Sequence, residues 1–288
     1  MARNDTHIWN PDFPDTSPLF NPVRELAYKL TIEHPITWPD LDDYQYLLET
    51  ETSKLCSQHG APIRFVAQGD KASCFENNYE PRIYLKGEVQ TRTQNWHDFF
   101  QVLVWAQFPR TKAQLNTLHY HAAHKRCTAI PPQPNRSPIE NTITLFDECG
   151  IIITSSDPSL LDLIRNHQWK ELFWQQRAEL ETKLHCIIFG HALYEKALQP
   201  YIGMTGHALL LTVNDSFHQL TRTQQCHQLD KRICDQLETC APDMSPQMLT
   251  PFPLLGMPGW HTENDQAAFY DNTKYFRDKR KKSIHSNN

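Results

Sequence analysis

The chain has no C-x-x-C pair among its eight cysteines, no secretory leader in "MARNDTHIWNPDFPD", and no stretch near the roughly 18 apolar residues a membrane span needs. The missing cysteine pairs argue against a zinc knuckle. With no export signal either, the pattern also argues against a disulfide scaffold, and reduced, mostly buried thiols are expected. The expected setting is cytoplasmic, with no membrane partner. There is no Walker A loop, G-x-G-x-x-G, G-x-S-x-G elbow, H-E-x-x-H or kinase signature, which disfavours nucleotide-driven, α/β-hydrolase and zincin chemistry. "GMPGW" is too short to cradle a phosphate by itself. A net charge of −5 denies the molecule the positive field that nonspecific nucleic-acid binding uses. The local exception is "FRDKRKK", a basic run that reads as a solvated terminus and the one place where a nucleic-acid contact remains open.

What is present suffices for a self-supporting core. A hydrophobic share of 39%, a charged share of 21% and seven Trp, fourteen Phe and ten Tyr in 288 residues belong to a folded chain, not a disordered one. Pro11, Pro14 and Pro18 make residues 1–21 an extended arm that lies on the body through Trp9, Phe13 and Phe20. Residues 22–277 read as a single α+β domain, helix-rich, with short strands and hairpins and an extended C-terminal wrap. Residues 278–288 read as a disordered basic tail.

Helices are expected at about residues 22–33, from Pro39 to a stop at Gly60, through the apolar stretch after Asn95, at 111–125, 157–166 and 169–182, after Gly190, and at 216–239. Strands are expected in "APIRFVAQG", in the apolar run ending at Phe189, and in "GHALLLTV". Two hairpins complete the reading. One turns at Lys86-Gly87, and the other, in "NTITLFDECGIIITSS", carries Asp147 and Glu148 at its tip.

The segment "RTQNWHDFFQVLVWAQFPR" places polar residues at the head of a helix with almost no polar face, so its first turn should meet protein or a pocket. Asn95 as N-cap and Asp98 three residues later fit a capping box, which leaves His97 without a structural task. A neutral imidazole there could be a ligand or a proton-transfer group. At "FGHALYEKAL" an apolar strand runs into a helix, and the i, i+4 spacing puts His191 and Glu195 on one helix face, as metal ligands or as a base with its orienting partner. Strand-to-helix turns at sheet ends commonly line pockets.

His119, His121 and His124 lie toward a helix C-terminus beside Lys125 and Arg126 and read as an exposed basic end, with His119 alone facing inward. Asp147 and Glu148 are ordinary turn residues, and adjacent carboxylates tend to point apart. Cys226, His227 and Cys234 suit a surface helix better than a metal site. Arg82, Arg92 and Arg110 bracket the central motif, where they could hold an anionic substrate or pair with Asp98, Asp147 and Glu148.

The strings "NWHDFFQVLVWAQFPRTKAQLN", "TLFDECG", "FGHALYEKAL", "LLGMPGWHTEN" and "FYDNTKYFR" together resemble an uncharacterised bacterial family known as a domain of unknown function, over residues 79–277. The resemblance implies a bacterial cytosolic protein. It brings no activity and no residue roles.

The favoured reading is a hydrolytic enzyme whose pocket gathers His97, Asp98, His191 and Glu195. Its candidate cofactor is a divalent metal held by His191, Glu195 and His97, and Arg92 or Arg110 holds an anionic group. A small molecule or a protein is the expected partner. The rival is a noncatalytic module that presents the aromatic C-terminal wrap and "WHDFFQVLVW" as a binding surface. A third reading makes the polar clusters internal struts and caps.

Overall fold

The structure is a computed structural model and describes residues 8–52, 54–70, 74–240 and 243–279. The chain opens with α1 (Phe13–Thr16) and a 3₁₀ turn at Pro18–Phe20, then α2 (Arg24–Thr31) and α3 (Leu41–Glu51). β1 (Arg64–Ala67), α4 (Tyr79–Lys86) and β2 (Glu88–Thr91) lead into α5 (Trp96–Gln107), α6 (Pro109–Thr128) and α7 (Pro138–Cys149). Then come β3 (Gly150–Ser155), α8 (Pro158–Arg165), a π-helical turn at Glu171–Gln175, α9 (Arg177–Lys183) and β4 (Leu184–Ile188). α10 (His191–Ala197), β5 (Thr205–Thr212), α11 (Asp215–His218), α12 (Arg222–Cys240) and β6 (Thr250–Pro253) follow.

One mixed sheet runs β4-β3-β5-β6, with β3 antiparallel to β4, parallel to β5, and β5 antiparallel to β6; β1 and β2 form a separate parallel pair. β3 is buried along its whole length, as a central strand covered on both faces should be. The α+β class holds, and one apolar cluster joins the arm, helices and main sheet.

α5 is the buried axis. Every residue from Trp96 to Ala106 except His97 is buried, and the helix packs against α3, α6 and α10. Trp9, Phe13 and Phe20 reach it from the arm: Trp9 stacks on Trp96 at 5.2 Å, and the Phe13 ring meets Phe100 edge-on at 5.3 Å. The arm is not extended as expected, because Pro14 and Pro18 sit in first helical turns where their missing amides cost nothing.

In both expected hairpins the first arm is a helix and only the second is a strand, β2 and β3. Residues 79–86 form α4, and Gly87, at φ 70°, is its left-handed cap, with its amide donating to the Ile83 carbonyl. Residues 138–149 form α7. A capping box fixes its start, with Ser137 Oγ accepting from the Glu140 amide and Glu140 Oε2 accepting from the Ser137 amide at 2.8 Å, and Pro138 stands at the first position. Ile143 and Phe146 then point inward at helical spacing. The β-branched content suggested a strand, but the cap and the 3.6 period outweigh it.

α3 ends at Glu51, well before Gly60, and the helix expected at 216–239 breaks between His218 and Arg222. The C-terminal segment adds edge strand β6 as well as wrapping over the body. Only Cys186 and Cys226 are buried, so most thiols are not, contrary to expectation. Most of the basic tail, residues 280–288, lies outside the described residues, as do residues 1–7 of the arm.

His185 on β4 is half-buried, with Nδ1 3.2 Å from Gln225 Oε1, and burial, helped by Arg222 and His218, pushes its pKa down to about 4. In the unfolded chain it titrates near pH ~6.5, so between there and pH 4 the unfolded state takes up the proton and the native state does not. Stability is therefore complete above that window and falls with acidification, by roughly 1–2 kcal/mol after discounting for the ring's partial exposure. Urea midpoints at pH 7 and pH 5 should differ more for the wild type than for His185→Gln. Equal differences contradict the assignment.

Candidate metal centre

β3 and β4 pair with Ile151 opposite Ile188, and the chain leaves β4 through Phe189-Gly190, whose amides both donate to the Gly150 carbonyl at 3.0 and 2.8 Å. A Cβ on Gly190 would lie 2.5 Å from the Glu148 carbonyl oxygen and 2.6 Å from the Cys149 amide nitrogen. Only glycine lets the end of α7 and the start of α10 approach so closely. The contact sets Asp147 and Glu148 beside His191, the first residue of α10.

His97 enters from the first turn of α5. Its Nε2 stands 3.0 Å from His191 Nε2, with the rings nearly perpendicular at 4.4 Å between centroids. His97 Nδ1 is 3.0 Å from Glu195 Oε2. Glu195 thus serves the histidine of the neighbouring helix and not His191, one turn before it. On the far side of His191, Nδ1 lies 3.7 Å from Asp147 Oδ2, whose other oxygen is 2.5 Å from Lys112 Nζ on α6. The donor atoms of His97, Glu148 and His191 all fall within 4.8 Å of one another, the one such group among the described residues.

The environments of the two imidazoles push them apart. The Glu195 hydrogen bond raises the His97 pKa against the effect of burial, and Glu148 adds to the rise. Burial pulls His191 down to about 4, despite the Asp147 carboxylate and carbonyl. Glu195 is held low by His97. Burial works to raise Asp147, but Lys112, His191 and His97 outweigh it and keep the carboxyl ionised. Burial raises the neighbouring Cys149 thiol, with Lys196 Nζ 3.7 Å from its sulfur.

These partners decide what the cluster can do. The Glu195 carboxylate can only accept, so His97 Nδ1 bears a proton toward it, and Asp147 Oδ2 stands 3.7 Å from Nδ1 of His191. Both Nε2 lone pairs then point at each other across 3.0 Å, which is repulsive unless a proton or a cation lies between them. With metal–nitrogen bonds of about 2.0–2.1 Å, two ligands at a right angle sit about 2.9–3.0 Å apart, so the observed spacing suits a cation bound by both rings. Glu148 could supply the third donor. Carboxylates behind both histidines are the usual outer support of such ligands.

Of the residues expected at the site, His97, His191 and Glu195 converge, and Asp98 does not. Asp98 accepts from the Arg92 amide at 2.6 Å and from Arg92 Nε and Nη2 at 3.0 and 2.8 Å, while Asn95 Oδ1 caps the helix through the Asp98 amide. Only half of the capping box is present, because Asp98 turns to Arg92. Arg92 is correspondingly committed to Asp98. Arg110 lies past the opposite end of the 12-residue α5, about 18 Å along its axis, where Asp230 of α12 accepts from its amide and that of Thr111. His119 is buried, His121 and His124 are exposed, and the three form no ligand group among the described residues. Cys226, His227 and Cys234 lie on α12 and likewise form no ligand group.

Three contributors were not expected. Asp147 and Glu148 fall at the site because α7 is a helix, and Lys112 because α6 starts at Pro109 and buries its first turns. The Ser137-Pro138-x-Glu140 cap was the available signal for the first two. No local signal marked Lys112.

The fold and cluster define an α+β protein carrying a two-histidine, one-carboxylate group that could bind a metal ion. No helix among the described residues is long and apolar enough to cross a membrane. The chain belongs to the family described as protein of unknown function DUF3025, whose family model matches residues 63–280 and so includes every residue of the cluster. No curated protein and no solved structure matches it.

Proposed function

We propose that this chain is a hydrolytic enzyme built on a mononuclear divalent-metal centre, with His97 Nε2, His191 Nε2 and Glu148 as ligands. What supports the reading is one observation, the two Nε2 atoms 3.0 Å apart with both Nδ1 atoms turned to carboxylate-bearing residues. When bound, the cation would supply Lewis acidity to a water or a substrate oxygen. Three protein ligands leave coordination positions open for that purpose. Glu195 orients His97, and Asp147 orients His191. The exposed side of the cluster is formed by His97 and Glu195, whose side chains are 26% and 37% exposed, so substrate approaches from there. His191, 3% exposed, forms the floor.

Of the two surfaces the rival reading needs, "WHDFFQVLVW" is buried apart from His97. On the strength of the family resemblance, the protein is taken as bacterial and cytoplasmic.

Hydrolysis of a panel of esters, amides and phosphoesters tests the proposal. Activity should vanish on chelation and return with added Zn²⁺ or Mn²⁺. His97→Gln, His191→Gln and Glu148→Gln should each lower metal affinity by on the order of 100-fold or more. Metal affinity unchanged in all three variants would overturn the ligand assignment, and activity indifferent to chelation would overturn the metal-dependent reaction.

A further inference from the structure

Lys112 is a lysine where a lysine is costly. It is 5% exposed, its Nζ stands 5.3 Å from the Trp105 ring centroid, and its ion-pair partner is Asp147 Oδ1 at 2.5 Å. A well-packed apolar pair in such a place is often at least as stable as a buried ion pair, so stability alone does not account for this one. Its position suggests another task. Asp147 Oδ2 faces His191 Nδ1 at 3.7 Å, and that nitrogen is buried with no full hydrogen bond. Three elements therefore meet through Asp147, with α6 supplying the ammonium, α7 the carboxylate and α10 the imidazole.

We propose that Lys112 is a positioning residue of the metal centre: by anchoring one oxygen of Asp147 it holds the other toward His191 Nδ1, which fixes His191 as the Nδ1–H tautomer and leaves the Nε2 lone pair for the cation. The inference rests on the ligand assignment proposed above. Lys112 does not touch the cation. It acts through Asp147, as outer-shell groups do when they fix the tautomer and ring orientation of a ligating histidine. The alternative tautomer would put an Nε2–H where the ligand lone pair must be and a lone pair against the Asp147 carboxylate. The Lys112–Asp147 pair selects against both.

Imidazole ¹⁵N NMR of the full, metal-free chain reads the tautomer without any metal, and Zn²⁺ titration reads its consequence. In the wild type His191 should be Nδ1–H. In Lys112→Met and in Asp147→Asn, which keeps the side-chain volume should the first variant fold poorly, the Nε2–H form should appear and Zn²⁺ affinity should fall about 10- to 100-fold. Retention of the wild-type tautomer and Zn²⁺ affinity in Asp147→Asn overturns the proposal. A wild type that binds no Zn²⁺ instead refutes the ligand assignment, and a tautomer that still shifts in Lys112→Met would then leave Lys112 only as the group that fixes the His191 tautomer.

Discussion

Gly190→Val is expected to cost about 3 kcal/mol or more and to abolish metal binding together with it. The first branch atom alone would sit 2.5 Å from two backbone atoms and 2.6 Å from a third, and no side-chain rotation relieves contacts with backbone. The Glu148–Gly150 segment and the turn into α10 must separate by roughly an ångström to reach ordinary contact. That shift breaks the two amide bonds to the Gly150 carbonyl and carries His191 away from Glu148. Thermal unfolding and Zn²⁺ titration check the two effects in one preparation. A variant with native stability and native affinity would show that α7 and α10 need not touch.

Arg126→Met is expected to destabilise the fold by about 3 kcal/mol while leaving the metal centre largely intact. Arg126 makes three contacts to Glu140 at 3.0–3.2 Å, and the Glu140 side chain is 1% exposed. Removing the guanidinium leaves a buried carboxylate with only its Ser137 bonds. The damage falls at the start of α7, about 12 Å along the helix from Glu148. Adding Glu140→Met should recover part of the loss, because the penalty comes mainly from the unpaired charge. Chemical denaturation of the two single variants and the double completes the cycle. An additive double variant would mean that the pair is not coupled.

The buried helix was legible because eight apolar residues follow His97 with only two glutamines between them, a pattern no half-exposed helix tolerates. Gly190 also announced itself, as the point where an apolar strand gives way to helical spacing. Two polar groups at the heads of apolar elements were therefore visible, and the fold brings them together. The cross-pairing was not visible. Spacing within α10 puts Glu195 near His191, whereas which way that face turns depends on how α10 packs on α5. Glu148 was hidden by a different error. Thr142, Ile143, Thr144 and Leu145 look like a strand until the Ser137–Glu140 cap is given its weight, and reading a hairpin there made both carboxylates ordinary turn residues. Lys112 carried no signal because its proposed role depends on residues 35 and 79 positions away, Asp147 and His191.

The charge pattern gives the cluster a direction. His191, buried and held neutral, keeps its lone pair available at any ordinary pH, and His97, raised by Glu195, holds a proton more readily. A single proton between the two Nε2 atoms would satisfy both rings, and the proposed cation would take its place by displacing that proton.

The most direct test is metal stoichiometry in the full chain, produced without a histidine tag, measured by elemental analysis and by calorimetric titration with Zn²⁺ and Mn²⁺. The account predicts one tightly held divalent ion per chain, lost in Glu148→Gln while the fold, by circular dichroism, stays native. No stoichiometric binding by the wild type, or equal binding by a folded Glu148→Gln protein, would contradict it.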